Sequence, residues 1–174
     1  MGGAKVIVYG DIGVGKSTAI RAAMKRLGWE KPDGFFTHWG GQGRGAEMLY
    51  FETWTGEMRP MARRLAAPAV SGGLAYELDA DFAGLAVSCI SGKESCRPVV
   101  VDELGLIEFG APEFAVAVAK LFRGSAPVLA VVQQRALERW LGAIDPKNAE
   151  YLLKADVSTR VALPGKIAAR FRGG

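Results

Sequence analysis

The sequence predicts an α/β fold in which a mostly parallel sheet is flanked by helices and carries an added antiparallel hairpin. Apolar and β-branched runs alternate with segments that favour helix, which is the pattern of parallel strands joined by helices. The run from Pro98 to Val101 lacks polar alternation, as is typical of a strand covered on both faces. Two aromatic and β-branched segments joined by Thr55-Gly56 predict the hairpin.

The first predicted element is a strand from Lys5 to Tyr9, which leads into a glycine-rich loop. A helix follows over Thr18 to Leu27, because alanine, leucine, methionine, lysine and arginine predominate there, and Gly28 suits its C-terminal cap. The next strand covers Phe35 to Trp39, and a second glycine-rich loop spans Gly40 to Gly45. The order strand, loop, helix, strand is therefore the start of an α/β unit.

The remaining elements continue the alternation after the hairpin of Met48 to Trp54 and Met58 to Ala62. The buried strand ends in Asp102-Glu103. The other predicted elements are a short strand at Ala75 to Leu78, a helix at Asp79 to Ile90, a helix at Pro112 to Phe122, a strand at Pro127 to Val132 and a helix at Arg135 to Leu141. No repeat or linker interrupts the chain, so residues 1–174 are predicted to form a single domain.

Composition excludes several classes of protein. With 49% hydrophobic and 23% charged residues, the chain has the make-up of a folded globular protein rather than a disordered one. No apolar run reaches the roughly 18 residues that span a bilayer, and the N-terminus lacks a signal peptide's apolar region. We therefore predict a cytoplasmic protein without a membrane partner.

The net charge of +4 suits an anionic ligand, but the basic residues are scattered and lack interleaved aromatic residues. Nucleic acid is accordingly disfavoured as a partner, and the sequence leaves a protein partner unknown. Cys89 and Cys96 are too few for a disulfide framework and do not have metal-ligand spacing with His38.

The glycine-rich loop carries the strongest functional signal. Gly10-Asp11-Ile12-Gly13-Val14-Gly15-Lys16-Ser17 matches the phosphate-binding pattern G-x-x-x-x-G-K-[ST] between a strand and a helix. Its backbone amides are expected to surround the β-phosphate at the start of the helix, and Lys16 to contact the β- and γ-phosphates. The Ser17 hydroxyl is a predicted ligand of Mg²⁺, and Thr18 is expected near the α-phosphate.

Two carboxylates complete the predicted site of this P-loop. Asp102, at the end of the buried strand, is predicted to hold Mg²⁺ opposite Ser17. Glu103 is expected to point differently and to activate a water molecule for attack on the γ-phosphorus. Glu108 is a third candidate, either assisting the water or serving as a helix-entry or surface charge.

In order and spacing, GDIGVGKS, the segment from Gly34 to Thr37 and the segment from Val99 to Phe109 resemble the THEP-type nucleoside-triphosphatases, which include the cancer-related nucleoside-triphosphatase. The resemblance implies a RecA-like P-loop fold with a strand added between the phosphate-loop strand and the acidic strand. It also implies Mg²⁺-dependent hydrolysis of ATP, GTP and other nucleoside triphosphates with loose base selectivity. It assigns phosphate and Mg²⁺ binding to Lys16 and Ser17, the metal to Asp102 and water activation to Glu103.

The chain departs from that family after Thr37, where an acidic residue and an arginine usually follow closely. Here His38 to Gln42 intervene before Arg44. We treat Arg44 as a catalytic candidate that stabilises charge on the transferred phosphoryl group, with Arg135 as a second candidate. Both arginines could equally be surface residues. The family's terminal asparagine-arginine pair has no clear counterpart near Val161 to Gly165.

Two other functions fit the same P-loop core. In a nucleotide or small-molecule kinase, Glu103 would serve an acceptor hydroxyl, and Arg59, Arg63 or Arg64 would bind the acceptor's phosphate. In a slow nucleotide-dependent switch, the loop from Gly40 to Gly45 would report the bound state to a partner. The Asp102-Glu103 pair favours hydrolysis to nucleoside diphosphate and phosphate over these two functions.

Overall fold

The computed structural model describes residues 3–66, 75–91 and 97–173. Its strands are β1 (Lys5–Gly10), β2 (Asp33–His38), β3 (Met48–Thr53), β4 (Met58–Arg64), β5 (Tyr76–Leu78), β6 (Val99–Leu104), β7 (Val128–Gln133) and β8 (Tyr151–Lys154). Its α-helices are α1 (Lys16–Leu27), α2 (Phe82–Ile90), α3 (Leu106–Phe109), α4 (Pro112–Arg123), α5 (Leu137–Ile144) and α6 (Leu163–Arg172). Short 3-10 turns lie at Gln134–Ala136 and Pro146–Asn148.

The eight strands of the described residues form one sheet in the order β5-β4-β3-β2-β6-β7-β1-β8. β2, β6, β7, β1 and β8 pair in parallel, whereas β3, β4 and β5 add antiparallel strands at one side. β7 lies between the phosphate-loop strand β1 and the acidic strand β6, as the resemblance implies. The predicted mostly parallel α/β sheet with its antiparallel hairpin is confirmed.

Alternate side chains of the central strands pack into two separate cores. Ile7, Val99 and Val101 join the core on the face covered by α2, α4 and α5. Val8 and Val100 join the core on the face covered by α1 and α6. Because both faces of β1 and β6 are buried, these strands are apolar almost throughout, and their carboxyl ends meet at one edge of the sheet.

Several predicted boundaries were wrong for local reasons. β2 ends at His38 rather than Trp39, because the chain turns at Gly40, whose φ is 60°. α2 begins at Phe82 rather than Asp79, because the carboxylate of Asp79 accepts the amide of Asp81 in a turn before the helix. Residues 134–136 form a 3-10 turn before α5 starts at Leu137.

The C-terminal strand β8 and helix α6 were not predicted. β8 is a four-residue edge strand, too short to stand out in the sequence, and α6 has the mixed sequence LPGKIAARFR. Cys96 lies outside the described residues. Among the helices of the described ranges, none is both long enough and apolar enough to cross a bilayer.

A glycine of β2 is required by the close approach of its neighbour β6. Gly34 has a φ of 96°, and a Cβ atom at this position would lie 2.1 Å from the backbone carbonyl oxygen of Val100. We expect Gly34→Ala to lower the free energy of unfolding by about 3 kcal/mol or more, because the clash is with backbone and the φ value disfavours alanine. Urea denaturation monitored by circular dichroism measures the loss.

The matched control is Gly84→Ala in α2. A Cβ atom there meets nothing within 4 Å, and alanine favours helix by up to about 1 kcal/mol. This variant should be as stable as the wild-type protein or more so. Equal stability of the two variants would contradict the close packing of β2 against β6.

Candidate active site

The loop between β1 and α1 curls back on itself at the edge of the sheet. Gly13 and Gly15 have φ values of 77° and 99°, which side-chain-bearing residues rarely adopt. A Cβ atom at Gly10 would lie 2.4 Å from the carbonyl oxygen of Ala155, so this loop packs against the segment that follows β8. The first amides of α1 have no partner within the helix, and such amides favour an anion.

The side chain of Lys16, the first residue of α1, contacts the backbone of this loop. Its Nζ donates to the carbonyl oxygens of Gly10 at 2.9 Å and Asp11 at 2.6 Å. Oε1 of Glu103 is 3.9 Å from the same nitrogen. Burial lowers the pKa of Lys16, and the nearby carboxylates of Glu103 and Asp102 oppose that change. A buried cation therefore lies between the loop and the end of β6.

Ser17 and Asp102 bring two oxygen donors together beside this lysine. The Ser17 hydroxyl donates to Oδ1 of Asp102 at 3.1 Å, and Asp102 is 3% exposed. Burial raises the pKa of Asp102 to about 6, although the hydrogen bond from Ser17 opposes that rise. A hydroxyl and a buried carboxylate are the hard oxygen ligands that Mg²⁺ accepts, so these residues fit the predicted metal.

Glu103 follows Asp102 at a point where the β6–β7 pairing is irregular. Asp102 is opposite Val131 and Leu104 is opposite Val132, so Glu103 is the extra residue of a bulge. A bulge changes the direction of a side chain, and bulges are common beside active sites. The Glu103 carboxylate is partly exposed, at 21%, and lines a cavity in front of the phosphate loop.

Glu108 and Gln133 add two buried polar side chains to the wall of the same cavity. Oε2 of Glu108 accepts the amide of Gly105 at 2.8 Å, which caps the short helix α3. Gln133 ends β7, and its Oε1 accepts Nε of Arg135 at 3.0 Å. A Cβ atom at Gly105 would lie within 3 Å of both Glu108 and Gln133, so this glycine allows the two side chains to approach each other.

The cavity holds about 600 Å³. Ser17 and Glu103 line it near the phosphate loop, and Arg44 and Arg135 also line it. Its remaining lining residues come from the phosphate loop, the end of β2 and the loop after it, β3, the start of β5, α3 and the end of β7: Ile12, Thr37, Trp39, Gly45, Leu49, Ala75, Tyr76, Leu106, Ile107, Glu108 and Gln133. The carboxyl ends of the parallel strands thus form one site, as expected for an open α/β sheet.

Comparison with known protein families gives one match over nearly the whole chain. The model of a family described as NTPase matches residues 5–168. This chain belongs to that NTPase family. Two curated relatives are both called nucleoside-triphosphatase THEP1. The protein from Natranaerobius thermophilus is 26% identical over 173 residues, which cover 95% of this chain and 94% of that protein. The protein from Methanosarcina barkeri is 28% identical over 176 residues, which cover 97% of each.

Solved structures of similar proteins have the same fold as this NTPase. The crystal structure of THEP1 from the hyperthermophile Aquifex aeolicus has a TM-score of 0.75 at 20% identity, covering 96% of this chain and 98% of that one. The solution structure of a human cancer-related nucleoside triphosphatase has a TM-score of 0.76 at 22% identity, covering 98% of both chains. The predicted resemblance, P-loop fold and nucleoside-triphosphatase class are confirmed.

The fold of this NTPase brings most of the predicted site residues together. Gly10 to Ser17, Asp102 and Glu103 meet at one edge of the sheet, and Thr18 is exposed on α1. The functions predicted for them remain predictions. Arg44 and Arg135, the two candidate arginines, both line the cavity.

Other candidates lie elsewhere or have structural roles. The arginines that the kinase alternative assigns to an acceptor's phosphate do not line the cavity within the described residues: Arg59 pairs with Glu57 at 2.7 Å, and Arg64 donates to the carbonyl oxygen of Gly45 at 2.8 Å. Trp140 is fully buried and donates to the carbonyl oxygen of Gly105, so its role is in packing. Gln133 was missed, although a polar residue directly after an apolar strand could have indicated it.

The acidity of Glu108 gives the NTPase a pH-dependent stability. Burial raises the pKa of Glu108 from 4.5 to about 7. The folded protein therefore binds more protons than the unfolded chain between pH 4.5 and pH 7, and the free energy of unfolding falls as the pH rises through that window. Burial also raises the pKa of Asp102 from 3.8 to about 6, which adds to the fall in the free energy of unfolding.

We expect Glu108→Gln to reduce this fall by an amount on the order of 2–3 kcal/mol. Urea denaturation in EDTA at pH 5 and pH 7.5 measures it. Asp156→Asn is the control, because hydrogen bonds from Ser158 and Thr159 lower the pKa of Asp156 from 3.8 and it stays ionised across the window. An unchanged difference between the two pH values in Glu108→Gln would contradict a proton held on Glu108.

Proposed function

We propose that residues 1–174 form a single P-loop domain that hydrolyses ATP, GTP and other nucleoside triphosphates to diphosphate and phosphate with Mg²⁺. The arrangement that supports this best is the contact of Ser17 with Asp102, beside a Lys16 that faces Glu103. It combines a cation for phosphate, two oxygen ligands for a metal and a separate carboxylate for water. Family membership supports the reaction class.

Each residue has a distinct part in the proposed reaction. The glycine-rich loop and Lys16 bind the β- and γ-phosphates, for which Lys16 leaves its contacts with Gly10 and Asp11. Ser17 and Asp102 hold Mg²⁺, which neutralises charge on the phosphates when bound. Glu103 accepts a proton from the water that attacks the γ-phosphorus. Arg44 and Arg135 stabilise charge on the transferred phosphoryl group from the rim of the cavity.

Asp102 and Glu103 differ in environment in a way that suits these two parts. Asp102 is buried and hydrogen-bonded to Ser17, so it has little access to a water molecule. Glu103 is partly exposed toward the cavity, where an attacking water can be held. Neighbouring carboxylates in different surroundings commonly have different tasks in a site.

Phosphate release tests the proposal. ATP, GTP, CTP and UTP are each incubated with the protein and Mg²⁺, and inorganic phosphate and nucleoside diphosphate are measured together. We expect each of the four nucleotides to give equal amounts of the two products. The activity should be lost in EDTA and restored when Mg²⁺ is added. Full activity in EDTA would contradict the metal role of Ser17 and Asp102, and no phosphate from any nucleotide would refute the function.

A further inference from the structure

The cavity in front of the phosphate loop is much larger than hydrolysis requires. One attacking water occupies only a small part of a cavity of about 600 Å³. Ser17 and Glu103 are only two of the residues that line it. A volume of this size is typical of pockets that bind a whole small molecule.

Part of the cavity's wall is apolar and aromatic. Trp39, Leu49, Tyr76 and Leu106 line it. The rings of Trp39 and Tyr76 are 5.3 Å apart with planes inclined at 58°. Both side chains are partly buried, so each keeps ring surface available to the cavity. Aromatic side chains of this kind stack on flat ring systems such as a nucleobase.

Hydrogen bonds hold this wall in shape. The Tyr76 hydroxyl donates to the carbonyl oxygen of Ala46 at 2.9 Å, and Arg64 donates to the carbonyl oxygen of Gly45 at 2.8 Å. They tie the glycine-rich loop after β2 to β4 and β5. The cavity is therefore formed before any ligand arrives, which lowers the entropic cost of binding.

Two guanidinium groups line the same cavity as the aromatic wall and the carboxylates. Arg135 is positioned by Gln133, and Arg44 is close enough to Lys16 for its charge to lower the pKa of that lysine. Guanidinium groups bind phosphate oxygens in pairs of parallel hydrogen bonds. A molecule that stacks on Trp39 can therefore direct an anionic group toward the phosphate loop.

We propose that this cavity binds a nucleoside monophosphate as a second substrate, to which the enzyme transfers the γ-phosphoryl group. Its base stacks on Trp39 and Tyr76, and its phosphate lies between Arg44 and Arg135. The inference rests on the proposed function, because the donor is the same triphosphate in the same loop. Hydrolysis is the reaction that occurs when the cavity contains only water.

The chemistry of the transfer balances without another reactant. A phosphate oxygen of the monophosphate attacks the γ-phosphorus and forms a new P–O bond, while the bond from that phosphorus to the β,γ-bridging oxygen breaks. The bond's electron pair stays on the leaving diphosphate. A phosphate dianion needs no base to remove a proton, so one triphosphate and one monophosphate yield two diphosphates.

In the first test the donor and the acceptor carry different bases, so that the diphosphate formed from each can be distinguished. ATP and Mg²⁺ are incubated with CMP, UMP or GMP, and GTP and Mg²⁺ with AMP, and all nucleotides are resolved by ion-exchange chromatography. We expect at least one monophosphate to be converted to its diphosphate. The amount of this diphosphate should equal the donor diphosphate formed minus the inorganic phosphate released. Lys16→Ala protein purified in the same way should form none, which excludes a contaminating kinase.

The outcomes distinguish the two proposals. If phosphate is released from the triphosphates but none of the four monophosphates becomes a diphosphate, hydrolysis stands and the acceptor site is refuted. If neither phosphate nor any diphosphate forms, the proposed function itself fails, and the acceptor site fails with it.

A second test asks whether the aromatic wall binds the acceptor. We expect Trp39→Ala to raise the KM for the monophosphate about tenfold or more, while Trp39→Phe, which keeps a ring, stays within about threefold of wild type. Trp29→Phe is the control, because Trp29 packs on Phe171 outside the cavity. An unchanged KM in Trp39→Ala would refute stacking at this wall.

Discussion

Glu103→Gln is expected to slow triphosphate hydrolysis about 100-fold and to leave nucleotide binding within about twofold of wild type. General-base catalysis contributes about 10²–10⁴-fold to a rate, and glutamine cannot accept the proton of the attacking water. Binding should be retained, because in the proposed complex the phosphates contact the glycine-rich loop and Lys16 rather than Glu103. Glutamine also keeps the shape of the side chain at the β6 bulge, so the fold should not change.

Steady-state phosphate release gives the rate, and fluorescence titration with a ribose-labelled nucleotide gives the affinity. Glu138→Gln is the matched control, since this exposed glutamate lies in the first turn of α5 and does not line the cavity. It should keep both the rate and the affinity. A Glu103→Gln enzyme that hydrolyses triphosphate at the wild-type rate would show that another group activates the water.

Lys16→Ala is expected to weaken triphosphate binding at least about 100-fold. Hydrogen bonds to charged groups are worth roughly 1.5–3 kcal/mol each, and the ammonium is expected to contact two phosphates. The substitution also removes the cation that faces Glu103 at 3.9 Å, so the uncompensated carboxylate repels the nucleotide further. Both effects act on binding, in contrast to the effect of Glu103→Gln.

The same titration with Mg²⁺-nucleotide measures this loss. Lys25→Ala changes an exposed lysine in the last turn of the same helix α1 and should bind nucleotide like the wild type at moderate salt. If Lys16→Ala and Glu103→Gln lost binding equally, the separate roles of the two residues would be wrong. Circular dichroism confirms that each variant is folded before it is titrated.

Much of the fold could be predicted because its signals are local. The run of β1, the glycine-rich loop and α1 follow one another directly, and the apolar run of β6 reveals a strand buried on both faces. The weakly patterned β8 and α6 could not be predicted in this way. Their stability comes from contacts with β1 and α1, which are distant in sequence.

The residues of the candidate site likewise fall into those that local sequence signals predict and those that only packing identifies. Lys16 and Ser17 could be identified from the motif, and Asp102 and Glu103 from their place at the end of an apolar strand. Glu108 and Gln133 could not be assigned, because their burial depends on how α3 and β7 pack around Gly105. The bulge at Glu103 is likewise a property of strand pairing.

The amino-acid sequence alone determined the phosphate loop, since glycines at positions with positive φ, a lysine and a hydroxyl act within eight consecutive residues. Only the tertiary structure decided which groups meet that loop. Ser17 and Asp102 are 85 residues apart in the chain and come into contact because the parallel strands end at one edge of the sheet. The aromatic wall of the cavity likewise arises from strands and loops that meet only after folding, because burial of apolar surface assembles segments regardless of their separation in sequence.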